Sequence, residues 1–202
     1  MKLLPRFLYR GDSDINNMRK LRETFSSELL LTNMCNGGDG REIFSNPLEQ
    51  LINKHISVGW AKTHFLSFST CEETAFHYGS LDKASDEVYG INEPWDFAVF
   101  SFDTSRLIQD SIKEISTGIY SAQFIPACKE FLPTYKLILI DAVSHLKYIS
   151  LQHHLDITEA ITKANLDHEW LILPASPFGH NSEFTGKFDT ACITDRRVFR
   201  YA

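Results

Sequence analysis

The chain has 202 residues, enough for one domain with a proper core, and its 43% hydrophobic and 23% charged residues are ordinary for a globular protein. A net charge of −6 argues against a nucleic-acid partner, which usually leaves a basic patch. No apolar run approaches the roughly 20 residues that span a bilayer, so no membrane partner is expected.

The start, MKLLPRFLYRGD, lacks the apolar core and cleavage site of a secretory signal. Within it Arg6–Arg10 reads as a short aromatic and aliphatic strand ended by Gly11 and Asp12. Asp12 or Ser13 then caps a helix with the stripe Ile15, Met18, Leu21 and Phe25. Residues 36–40, NGGDG, are a loop without the spacing of a dinucleotide fingerprint. Asn46-Pro47 opens a helix with the stripe Leu48, Leu51, Ile52 and Ile56. His55 sits beside that stripe and reads as a satisfied, half-buried histidine rather than a ligand.

His64 to Gly79, HFLSFSTCEETAFHYG, is the most informative stretch. It predicts a strand with Phe65, Ser67 and Ser69 on one face and Leu66 and Phe68 on the other. Thr70 and Glu73 form a capping-box pattern for the helix that follows, and Gly79 suits its left-handed C-terminal residue. Residues 80–94 are a long polar loop of the kind that often carries function. Phe97–Phe102 is a buried strand, and 105–108 form a turn of helix. The segment 112–133 is mixed and carries no assignment.

Lys136–Ala142 is the most apolar strand and is expected at the sheet centre. Asp156–Ala164 reads as a capped helix. A strand over 166–174 follows, opened by Asp167 and Glu169 on one face, with Leu171 and Leu173 continuing it. Residues 188–193 and 197–201 suggest a closing hairpin around 194–196. The four cysteines, Cys35, Cys71, Cys128 and Cys192, have neither zinc-site spacing nor disulfide-framework density, and free buried thiols are expected. Strands outnumber helices without βαβ alternation, and no repeat or linker interrupts the chain. A single α+β domain over 1–202 is the reading.

Three features stand in order: Arg10 beside Gly11, the Ser67-Phe68-Ser69 strand running into a helix, and Asp167-x-Glu169. Each alone has a plain structural reading, as an edge charge, a cross-strand pair or a strand-end carboxylate. Together they resemble the Arg, Ser-x-Ser, Glu signature of the mono-ADP-ribosyltransferase family of bacterial toxins and effectors. FLSFSTCEETAFHYG is the most specific part of the match, YRG is less so, and Asp-x-Glu is weak alone.

The resemblance implies an ADP-ribosyltransferase-like split β-sandwich with flanking helices, and NAD as co-substrate in its cleft. It implies that Arg10, with Gly11, binds the cofactor and that Ser67 hydrogen-bonds the ribose and orients the catalytic Glu169. Phe68 and Ser69 would support the site, and Tyr78 would stack on nicotinamide. No metal is needed. Glu169 would stabilise the oxocarbenium-like cation formed as nicotinamide leaves. Asp167 departs from the Glu or Gln of many relatives, which puts arginine, asparagine and cysteine acceptors in doubt and brings forward a hydroxyl acceptor. The implied partner is an acceptor protein of a host cell, ubiquitin among the candidates, met by a monomeric effector that is cytoplasmic or exported without a conventional signal. The rival readings are an NAD glycohydrolase, a nucleic-acid-directed enzyme of the same fold, and an inactive binding module.

Overall fold

The computed structural model describes residues 4–13, 29–31, 48–58, 65–80, 96–124, 135–175, 187–189 and 193–200. The strands among them are β1 (Phe7–Ser13), β2 (Leu29–Leu31), β3 (Leu66–Ser69), β4 (Asp96–Asp103) and β5 (Lys113–Ser116). They continue with β6 (Ile119–Phe124), β7 (Tyr135–Asp141), β8 (Glu169–Ala175), β9 (Lys187–Asp189) and β10 (Ile193–Arg200). The α-helices are α1 (Leu48–Val58), α2 (Glu72–Ser80), α3 (Ala142–His153) and α4 (Thr158–Leu166). Eight strands make one antiparallel sheet in the order β10-β4-β1-β3-β8-β7-β6-β5, while β2 and β9 pair separately. The architecture is α+β.

Side-chain alternation gives the sheet two apolar faces. One carries Leu8, Leu66, Phe68, Phe100, Phe102, Leu139, Trp170 and Ile172, strand residues that pack on one another. The other gathers Phe65, Ile119, Ile140 and Leu171 under α1, α3 and α4, whose Ile52, Ile56, Leu146, Ile149, Ala160 and Ala164 are buried there. Strand β7 feeds both clusters, Leu137 and Leu139 to the first and Ile140 to the second, as expected of its continuous apolar run.

The sheet is joined at its middle by very little. Strands β1 and β3 pair only at Tyr9 and Ser69. A continued antiparallel ladder would set Gly11 opposite Ser67. In its place the Arg10 guanidinium donates Nη1–H to the Ser67 carbonyl at 3.0 Å. Strand β1 is held instead by β4, along the whole register from Phe7↔Asp103 to Ser13↔Phe97.

Several expectations need correcting. Strand β1 does not stop at Gly11; it runs on through Asp12 and Ser13, because β4 offers Val99, Ala98 and Phe97 as partners. The helix expected over 15–25, the loop at 36–40, residues 81–94, and Cys35, Cys128 and Cys192 lie outside the described residues. Helix α4 ends at Leu166 with Asp167 as its C-cap, and β8 begins only at Glu169. Asp167 and Glu169 therefore do not share a strand: His168, at φ 49°, turns the chain between them. The hairpin expected around 194–196 is one strand, β10, paired with β4 through an irregularity between Ile193 and Asp195. Residues 113–124 form a hairpin, β5–β6, around Gly118 at φ 84°, where sequence alone left no assignment. Helix α3 was not anticipated at all.

Candidate active site

The junction of β3, α2 and β8 is built by one serine. Ser69 is buried, its hydroxyl donates to the Asp167 carbonyl at 2.7 Å, and it accepts the Cys71 N–H at 2.9 Å. It thereby starts α2 and fixes the end of α4 together. The expected Thr70–Glu73 capping box is displaced by this arrangement. The Thr70 N–H donates to the His168 carbonyl at 3.2 Å, and Glu73 takes the Cys71 thiol at 3.1 Å. Cys71 is a free, partly exposed thiol. Gly79 is helical and buried within α2 rather than its left-handed end.

Cross-strand partners share a sheet face. Ser69 is opposite Glu169 and Ser67 opposite Leu171, so both serines and Glu169 project from the helix-covered side. Leu171 belongs to the apolar cluster there, so Glu169 stands at the edge of an apolar wall, as its sequence position suggested. Phe68 projects the other way and packs edge-on against Phe102 at 5.8 Å, in the core. Gly11 meets α2: a Cβ built on it would lie 1.8 Å from the Ala75 carbonyl and 2.6 Å from the Gly79 nitrogen. What approaches this glycine closely is a helix.

Glu169 is 11% exposed through its side chain. Burial first, and the Asp167 carboxylate after it, push its pKa up to about 7 against the opposing Ser67 hydrogen bond and Lys163 charge. The carboxyl is thus balanced between its two forms near neutrality, a condition often met by groups that do chemistry. Asp167 is held from the other side, where the Tyr78 hydroxyl donates to its Oδ2 at 2.7 Å. Burial and that carboxylate raise the Tyr78 pKa well above the ordinary phenol range, so the phenol keeps its proton. Tyr78 is otherwise 45% exposed, a half-open ring at the rim of the site.

His55, read from the sequence as a satisfied, half-buried histidine, is buried and reaches the site. It occupies the core-facing position of α1, seven residues after Leu48 and three after Ile52, and only 7% of it is exposed. Its Nε2 lies 2.8 Å from Ser67 Oγ and 3.9 Å from Glu169 Oε1, and its ring meets Phe65 edge-on at 5.6 Å. Burial first, then the charges of Arg10 and Lys163, lower its pKa to about 4. At neutral pH it is uncharged, and its approach to Glu169 is no ion pair. Lys163 Nζ donates to the Ile56 carbonyl at 3.0 Å and ties α4 to the α1 turn that carries His55. The only local signal for His55 was a titratable side chain on an apolar stripe.

The structure therefore gathers Ser67, Glu169 and His55, with Arg10 reaching the Ser67 carbonyl, and places Ser69, Asp167 and Tyr78 along one adjoining chain of hydrogen bonds. It leaves Phe68 in the core. The His55 Nε2 faces both Ser67 and Glu169. Among the described residues no group of three His, Cys, Asp or Glu side chains is placed to hold a metal ion, and no helix is long and apolar enough to cross a membrane. No family model matches the chain, and no curated protein matches it.

Proposed function

We propose that this chain is an NAD-dependent mono-ADP-ribosyltransferase on an ADP-ribosyltransferase-like split β-sandwich, moving ADP-ribose from NAD to a side chain of an acceptor protein. The observation that carries the reading is the nearly buried Glu169 carboxyl, on the sheet face it shares with Ser67, where the β1–β3 ladder stops and the Arg10 guanidinium crosses. An anionic dinucleotide needs a cation at such a break, and a guanidinium with several donors suits it.

Glycosidic cleavage places positive charge on the ribose as neutral nicotinamide departs. Ionised Glu169 accepts the ribose 2′-hydroxyl hydrogen bond and stabilises that charge more than it stabilises the ground state. The positive pyridinium of bound NAD itself favours the ionised carboxylate, drawing down a pKa that burial and the groups around it set near 7. Ser67 aims the carboxylate. Asp167, fixed by Tyr78 and by the Ser69 bond to its carbonyl, faces the acceptor side and takes the proton that the acceptor nucleophile releases. Nicotinamide and one proton leave as the new C1′–acceptor bond forms.

The test is labelled NAD with a whole-cell lysate, following labelled protein and free nicotinamide for wild type and Glu169→Gln. A labelled band and nicotinamide release that both fall at least about a hundredfold in the variant are expected. Wild-type turnover by Glu169→Gln overturns the assignment, and nicotinamide release without a band replaces transfer with hydrolysis.

A further inference from the structure

Tyr78 enters the scheme above only as a brace for Asp167, although the two make a direct hydroxyl–carboxylate contact at the rim of the site. We propose that Tyr78 is itself an acceptor: without a target protein, the chain transfers ADP-ribose from NAD to its own Tyr78 hydroxyl, with Asp167 as the base. The inference rests on the proposed function and names one hydroxyl acceptor for it.

A nucleophile and its base are recognised by hydrogen-bond contact and by a third group that holds the base. The Tyr78 hydroxyl donates to Asp167 Oδ2 at 2.7 Å, within the reach that proton transfer needs. Asp167 is held in turn through its backbone. It closes α4 with its N–H on the Lys163 carbonyl at 3.1 Å, and its own carbonyl takes the Ser69 hydroxyl at 2.7 Å. Ser69 is the cross-strand partner of Glu169, so the base and the carboxyl that prepares the electrophile are both referred to one serine. Tyr78 comes from α2, whose Ala75 and Gly79 are seated on Gly11. Its ring is 45% exposed, and the hydroxyl oxygen keeps its lone pairs beside the one bond it donates.

The step balances. The C1′–N bond of NAD breaks, and its electron pair leaves with the pyridinium ring as neutral nicotinamide. A lone pair of the phenol oxygen forms the new C1′–O bond, the O–H bond breaks, and its proton passes to Asp167 and then to water. Burial, and after it the aspartate, hold the phenol's pKa well above its ordinary value, so phenolate is scarce at neutral pH and the attack needs a base in contact. The Cys71 thiol, which donates to the exposed Glu73 carboxylate at 3.1 Å, is the competing nucleophile. Once modified, Tyr78 has no proton to give Asp167, and the brace on that carboxylate is lost.

The experiment incubates the whole chain with labelled NAD and no other protein, follows free nicotinamide, and maps the label by peptide mass spectrometry. A single ADP-ribose on Tyr78 is expected, formed at a rate per molecule that does not change when the protein is diluted. Glu169→Gln mixed with wild type should stay unlabelled, as a step within one chain requires. Tyr78→Phe should lose the label from that peptide. Asp167→Asn should lower the label per nicotinamide released at least about tenfold, and an unchanged ratio overturns Asp167 as the base. Nicotinamide release with no label on Tyr78, or with the label on Cys71, overturns this acceptor and leaves the proposed function standing. Label on Tyr78 of the Glu169→Gln chain in the mixture overturns transfer within one chain. A wild-type chain that releases no nicotinamide removes the proposed function and the modification together.

Discussion

Ser69 is the side chain on which the most local structure converges, since its one hydroxyl serves the start of α2 and the turn between α4 and β8. Replacing it with alanine leaves the Cys71 N–H and the Asp167 carbonyl without their partner in a buried place. Ser69→Ala is expected to lower the unfolding free energy by about 2 kcal/mol, measured by urea denaturation. A loss within error would mean that water replaces the hydroxyl. The serine pair was legible because strand alternation put it on one face. His55 was not, because nothing within a few residues of it announces Ser67 and Glu169. Its partners come from β3 and β8, and a side chain on an apolar stripe reads as core until those strands are placed beside it.

Elements were legible where their own periodicity agreed with their tertiary surroundings. Helix α1 buries the stripe it displays, with Leu51, Ile52 and Ile56 all covered. Helix α3 is capped by Asp141, whose Oδ1 accepts the Ser144 N–H at 3.0 Å, but the aspartate also closes an apolar strand, and the strand expected through Ala142 hides the cap. The capping box at Thr70 failed for a tertiary reason: the backbone N–H it needed is bonded to His168 across the junction. The polar run Thr194-Asp195-Arg196 suggested a turn, yet an outer strand tolerates polar residues and β4 supplies the pairing. Gly11 makes the most specific claim at this scale. Gly11→Ala pushes a methyl into the backbone of α2 at Ala75, and the helix must move off β1. A loss of at least about 2 kcal/mol is expected in thermal melting, from overpacking against a helix backbone that cannot turn aside. An unchanged melting temperature would mean that α2 does not sit as described.

At the scale of the whole molecule, two buried groups bias stability in opposite directions with pH. His55, lowered from 6.5 to about 4 in the fold, contributes stability that is complete above pH 6.5 and is lost as pH falls toward 4. Glu169, raised from 4.5 to about 7, holds its proton more tightly folded than unfolded, so stability falls as pH rises from 4.5 through 7. Across their shared window the two nearly cancel. Glu169→Gln removes one of them. The variant should therefore gain on wild type as pH rises, with a difference at pH 8 exceeding that at pH 4.5 by up to roughly 3 kcal/mol. Paired urea melts at the two pH values measure it, and an equal difference at both would mean that Glu169 does not titrate between them. A site that raises the energy of its own fold in this way is a common companion of activity.

The slender joint between β1 and β3 also makes α2 a splint. In the chain α2 follows β3, but it packs on β1, so it bridges the two parts of the sheet across the one place where their ladder gives out. Where the helix seats on Gly11, at Ala75 and Gly79, sets how far those parts stand apart. Their separation is gauged by the thickness of a missing methyl group on the strand that the helix rests against.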